Sequence, residues 1–156
     1  MKTKLFKNAA VVFTILTLAF AVSCSDDDDE MKEDTSLYTR LGGIDAISAV
    51  TDQFLANVAA DSKINARFEA TVANSSRLQL LRNNLIDQIC AGSGGPCQYK
   101  GKTMAAAHAG MGITQDEFNA LVADLVAALE KFSVPAQEKN DLLAILGPMQ
   151  SDIVGK

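Results

Sequence analysis

Four stretches of this chain repeat apolar residues at three- and four-residue steps, and no run alternates apolar with polar residues convincingly enough to be a strand. Ile44, Ile47, Val50, Phe54, Leu55 and Val58 form the first stripe, and Leu78, Leu81, Leu85 and Ile89 the second. Phe118, Leu121, Val122, Leu125, Leu129 and Phe132 form the third, and Leu142, Leu143, Leu146, Met149 and Ile153 the last. Such steps return a side chain to one side of a helix at every turn, whereas a half-buried strand needs a period of two. The expected fold class is therefore all-α. Gly42-Gly43 would end a short opening helix around Leu37–Leu41. Gly92 and the Gly94-Gly95-Pro96 turn end the second stripe. Thr114 and Glu117 make a capping-box pair at the head of the third, which predicts a helix of about five turns. Pro135 suits the first turn of the last helix, with room for a kink at Gly147-Pro148.

The beginning of the chain has a different character. Lys2, Lys4 and Lys7 precede an apolar run from Ala9 to Val22, and Ala21-Val22-Ser23 leads into Cys24. A basic segment, an apolar segment and small residues at a cleavage point make an export signal. The run is shorter than the roughly 20 residues of a spanning helix, which disfavours a retained membrane anchor. Residues 21–24 resemble a bacterial lipobox, whose cysteine becomes lipid-modified and forms the new amino terminus, although leucine is commoner where Ala21 stands. Residues 1–23 are thus expected to be a lipoprotein signal peptide. Residues 24–35 are expected to be the lipidated Cys24 and an acidic tether, and residues 36–156 a single domain with one core. Asp26-Asp27-Asp28-Asp29-Glu30 repels itself and stays solvated; it resembles the sorting signal of surface-exposed lipoproteins, with a plain spacer as the equal alternative. The expected location is the outer membrane, with the domain in the periplasm or at the surface.

Charge narrows the partners. The whole chain carries a formal charge of −5, yet residues 24–35 hold seven acids against one lysine, and residues 36–156 hold twelve acids against ten bases. A nearly neutral domain with no basic groove is a poor fit to nucleic acid.

His108 is the only histidine. Imidazole is the usual proximal ligand where haem iron must keep its sixth position free for a small gas, and one such side chain suffices. A solitary histidine forbids a histidine-rich zinc site and bis-histidine haem, and without Cys-x-x-Cys-His there is no c-type attachment. Met104 and Met111 lie four residues before and three after it, on the face expected to carry the imidazole, while Ala105, Ala106, Ala107 and Ala109 are small enough for a flat macrocycle to approach. The same residues are ordinary helix-packing residues, so both readings stand at this point. Cys90 and Cys97 flank a glycine-rich turn. Outside the cytoplasm they are expected to be oxidised to each other, a pair of buried thiols being the alternative.

Leu37-Tyr38, Leu41-Gly42-Gly43, Phe54, Phe68, the Gly94-Gly95-Pro96…Tyr99…Gly101 turn, Met104…His108…Gly112-Ile113-Thr114…Phe118 and Val134-Pro135…Leu142-Leu143 together resemble a group 1 truncated haemoglobin. The resemblance covers nearly all of residues 36–156. It implies a truncated globin, a two-over-two helical sandwich around non-covalent haem b, with His108 as the proximal ligand. It also implies haem contacts from Phe68, from Met104 and Phe118 on the proximal side, and from Leu121, Val122 and Leu125 on the next helix. Leu55 stands where many members place a tyrosine that donates a hydrogen bond to the gas, so that donor is absent. The distal helix aligns in two ways: in one Arg82 faces the ligand, in the other Leu81 and Leu85 do. The second is preferred, because an unpaired arginine over an apolar pocket carries a desolvation penalty while Leu78, Leu81, Leu85 and Ile89 form a continuous apolar face. Asn83, Asn84 and Gln88 are expected to face water.

The functional expectation is a haem protein that reversibly binds oxygen or nitric oxide at a His108-ligated iron, anchored to the membrane through Cys24. The alternatives are a nitric oxide dioxygenase or peroxidase-like haem enzyme, and a haemless helical interaction lipoprotein. No flavin or nicotinamide motif is present to name a redox partner.

Overall fold

A computed structural model describes residues 35–156, so the expected signal peptide, Cys24 and the tether up to residue 34 lie outside the described residues. Among the described residues seven α-helices follow in order: α1 Leu37–Arg40, α2 Gly43–Ala60, α3 Asn65–Val72, α4 Ser75–Gly92, α5 Met104–His108, α6 Gln115–Lys131 and α7 Ala136–Leu146, closed by a 3-10 helix Gly147–Asp152. Among the described residues there is no strand, only a parallel bridge between Ile113 and Val154. The all-α expectation holds.

The starts of α1, α4 and α6 are set by side chains that satisfy otherwise unpaired amides. Ser36 accepts from the Thr39 amide at 3.2 Å, Asn74 from the Arg77 amide at 3.0 Å, and Thr114 and Glu117 form the expected capping box on α6. Between α1 and α2 the chain turns through Gly42, at φ 91°, where a Cβ would also fall 2.9 Å from the Ala46 Cβ. That conformation and that approach both demand glycine.

α2 is the central element, packing on α6 along one side and on α4 along another. Ile47, Val50, Phe54 and Val58 of α2 meet Ile86 and Ile89 of α4, Ala120, Leu125, Ala128 and Leu129 of α6, and Leu142 of α7. Each large aliphatic side chain removed from water here contributes about 1.5–3 kcal/mol. Ala128, fully buried, lets α2 and α6 come close. The one polar side chain inside α2, Thr51, is satisfied by donating to the Ile47 carbonyl at 2.8 Å. The two-over-two sandwich thus forms around α2, which packs on α4 and on α6, with Leu142 of α7 entering the same core.

The turn that follows α4 is pinned to α1. The Tyr38 amide donates to the Ser93 carbonyl at 2.9 Å, and a Cβ on Gly95 would strike the Tyr38 ring and lie 2.8 Å from Cys90 Sγ. The Cys90 and Cys97 sulfurs lie 2.00 Å apart, with their Cα atoms separated by 5.7 Å.

Three details differ from the sequence expectation. α3 has no buried side chain, so it left no stripe to read. Phe132 caps the end of α6 and is 46% exposed rather than continuing the buried face. The last stripe is two elements, not one kinked helix. Pro148 has no amide hydrogen to carry the α-helical ladder past Leu146, and a 3-10 helix takes over.

Candidate functional site

α5 is five residues long, started by Thr103, whose Oγ1 accepts from the Ala106 amide at 3.3 Å, and ended by His108. His108 Nδ1 lies 2.8 Å from the Met104 carbonyl oxygen. A carbonyl only accepts, so Nδ1 carries the proton, and in the neutral ring Nε2 is left with its lone pair. Nε2 has no hydrogen-bond partner among the described residues. A backbone carbonyl that fixes tautomer and ring orientation is the usual support of a metal-ligating imidazole. After His108 the chain leaves the helix through Gly110 at φ 78° and Gly112 at φ 58°. Met111 therefore does not share the helical face of the imidazole, as its spacing had predicted, and is 39% exposed.

α4 presents two sides. Ile86, Ile89 and Cys90 are buried against the core, whereas Leu78, Leu81, Leu85 and Gln88 share a second face and are half-buried. The Gln88 amide donates to Met104 Sδ at 3.5 Å and Met149 Sδ at 3.2 Å, which brings that second face to α5 and the 3-10 helix. Gln88 is thus turned inward rather than to water; its donors meet thioethers, which are weak acceptors.

α5 itself packs on the 3-10 helix and makes no extensive contact with α4 or α6. Leu78, Leu81, Met104 and Val122 are half-buried without joining the core. Leu55, Phe68, Leu85 and Leu121 are half-buried at the core's edge, and Phe118 and Leu125 are buried. Eight of the eleven residues expected at the site thus offer aliphatic or aromatic surface that the chain covers incompletely, Phe118 and Leu125 are covered by the chain itself, and His108 offers a single nitrogen lone pair. That donor set fits a flat apolar macrocycle with a metal at its centre.

Two arginine pairs border this region, and neither partner was identified from sequence. Arg82 grips Asp52 of α2 through Nε to Oδ1 at 2.5 Å and Nη2 to Oδ2 at 2.9 Å. The hydrogen bonds from Arg82 hold the Asp52 carboxyl below its usual range and raise the Arg82 guanidinium in turn. Arg82 is consequently a paired cation, held by Asp52. Arg67 of α3 donates to Glu117 at 2.7 and 3.1 Å and to the Met111 carbonyl at 2.7 Å. Arg67 first, then the Thr114 amide and hydroxyl, lower the Glu117 carboxyl to about 2. The partners are 30 and 50 residues apart, beyond any spacing rule, and only the capping motif singled out Glu117.

The Bacterial-like globin family model matches residues 36–154. The group 1 truncated haemoglobin of Mycolicibacterium paratuberculosis is 31% identical over 121 residues, covering 78% of this chain and 85% of that protein. That of Tetrahymena pyriformis is 29% identical over 126 residues, covering 81% of this chain and all (100%) of the other. Among solved structures, the Tetrahymena pyriformis truncated haemoglobin in its Fe(III) form has a TM-score of 0.71 at 29% identity, covering 78% of this chain and 99% of that one. The 2/2 haemoglobin of Synechococcus, crystallised in the cyanomet state with covalently attached haem, has a TM-score of 0.69 at 26% identity, covering 78% and 99%. Helix order, packing and these matches agree: the chain belongs to the bacterial-like globins and is a group 1 truncated haemoglobin of two-over-two fold.

Proposed function

We propose that this globin binds haem b non-covalently through His108 Nε2 and uses it to bind a diatomic gas reversibly, with oxygen and nitric oxide as the ligands. The observation that carries this reading is the Nδ1 hydrogen bond to the Met104 carbonyl, which in the neutral ring keeps the proton on Nδ1 and the lone pair on Nε2. Bound there, haem supplies an iron with one free coordination position. His108 would hold the iron through Nε2, and the Met104 carbonyl orients the ring. Leu55, Leu78, Leu81 and Leu85 would form the distal wall, Phe68 would pack on the ring, and Met104, Phe118, Leu121, Val122 and Leu125 would close the remaining sides. Their apolar surface excludes water from the gas side. With leucine at position 55 that wall offers no hydroxyl donor, so the gas leaves quickly.

Cys90 and Cys97 are read as a disulfide, supported by their sulfur separation of 2.00 Å. The domain is read as exported and held to the outer membrane by a lipid on Cys24, a reading that rests on residues 1–30 of the sequence. Palmitate labelling that persists in Cys24→Ser would overturn the anchor.

The test of gas binding is optical. The reduced, haem-loaded chain is expected to change its absorption on exposure to oxygen or nitric oxide and to return under argon through repeated cycles. A spectrum indifferent to both gases would refute the reading. Catalytic consumption of nitric oxide or peroxide over many turnovers with a supplied reductant would replace it with an enzymatic one.

A further inference from the structure

The residue that carries the site is held by a short element. α5 has only five residues, and a helix of that length has no stability of its own, so the position of His108 depends on what fixes the chain at either end. Upstream, the Tyr99 hydroxyl donates to the Lys102 carbonyl at 2.7 Å and Thr103 caps the helix. Downstream, two devices act on residues 110–113. The carboxyl-terminal tail is one: the Gly112 amide donates to the Lys156 carbonyl at 2.6 Å and the Gly155 amide to the Ile113 carbonyl at 2.9 Å.

Arg67 is the other. It sits on α3 beside Phe68 and uses three nitrogens of its planar fork. Nε and Nη2 grip both Glu117 oxygens, and Nη1 donates to the carbonyl of Met111, three residues beyond His108. Glu117 Oε2 meanwhile accepts from the Thr114 amide at 2.8 Å, so the same carboxylate closes the first turn of α6. One guanidinium thus ties together α3, the loop leaving the histidine, and the helix that carries Phe118. Lysine reproduces the charge but not the fork.

We infer that Arg67 is a positioning residue for His108: by locking the Met111 carbonyl to α3 and to the start of α6 it sets the direction of Nε2 toward the iron and slows the escape of haem. This rests on the reading of His108 as the axial ligand. Arg67 does not touch haem; it acts through the loop.

The experiment uses the full haem-loaded chain in its ferrous form, with two readouts. Resonance Raman follows the iron–histidine stretching band, and haem transfer to excess apomyoglobin follows retention. Arg67→Ala is expected to shift or broaden the band and to speed haem transfer by roughly tenfold, in line with losses at groups that support metal-bound histidines. Arg67→Lys and Glu117→Gln, which each keep part of the network, fall between wild type and Arg67→Ala. Arg40→Ala serves as the control, because it breaks the Arg40–Asp141 pair (2.5 Å) between α1 and α7, away from the loop. A band and a transfer rate unchanged in Arg67→Ala would overturn the inference, as would an equal change in Arg40→Ala. A wild-type protein without the band, or a band that survives His108→Ala, would instead overturn the ligand assignment beneath it.

Discussion

Replacing Leu55 by tyrosine would put a hydroxyl donor into the proposed distal wall of leucines, and the size of the effect follows from what a donor contributes in such a place. A hydrogen bond to a polarised oxygen ligand shielded from water is worth about 1–3 kcal/mol, which slows release by roughly 5- to 150-fold. The side chain has room to move outward, because Leu55 is half-buried at the core's edge whereas its neighbours Thr51 and Phe54 are buried. Added volume on the core side costs stability, about 1–3 kcal/mol for an overpacked position, so a lower melting temperature accompanies slower release. Carbon monoxide carries little negative charge on its oxygen and serves as the control. Stopped-flow displacement of oxygen by excess carbon monoxide measures the first rate, and displacement of carbon monoxide by nitric oxide the second. Leu55→Tyr is expected to slow oxygen release within that range and to leave carbon monoxide release within about twofold, since a weak acceptor gains little from the donor. Equal slowing of both gases would mean that the new ring obstructs rather than donates. No slowing of either would mean that position 55 does not face the gas, and the distal wall would have to be redrawn.

Other consequences concern the fold that holds the site. Leu129, 1% exposed at the meeting of α2, α6 and α7, is expected to cost about 2–5 kcal/mol on truncation to alanine, seen as a lower urea midpoint with an unchanged m-value. Glu117, lowered from 4.5 to about 2 in the folded chain, contributes stability that is present above pH 4.5 and lost as pH falls toward 2. The stability gap between wild type and Glu117→Gln should therefore narrow on acidification through that window; a gap independent of pH would contradict the Arg67–Glu117 pairing. Alkylation without reductant should leave Cys90 and Cys97 unmodified, and reduction should lower stability by roughly 2–3 kcal/mol for so short a loop.

The helical architecture was legible because burial in this protein is periodic. Ile47, Val50, Phe54 and Val58 recur at the steps that a helix requires, and Thr114 with Glu117 marks the start of α6 in the sequence itself. α3 was illegible for the same reason, since none of its side chains is buried. His108 stood out by being alone, and its bond to the Met104 carbonyl four residues earlier is a local consequence of helical spacing. The glycines told less than they do in three dimensions: the Gly94-Gly95 turn was visible, but not that Gly95 leaves space for the Tyr38 ring from a distant segment. Long-range polar pairs were hidden altogether. Gln88 meets a sulfur 61 residues away, and Arg82 turns to Asp52 because α2 and α4 happen to cross there, facts that no local pattern encodes. What sequence could not supply was therefore the support around the site rather than its central residue.

The proposed haem binding depends on one imidazole nitrogen reaching iron, and titration of hemin into the purified chain tests that most directly. One equivalent per chain should produce a sharp Soret band in wild type, and His108→Ala should lose or strongly shift it while keeping its helical circular dichroism. A wild-type protein that stays colourless, or a variant whose band matches wild type, would contradict the assignment.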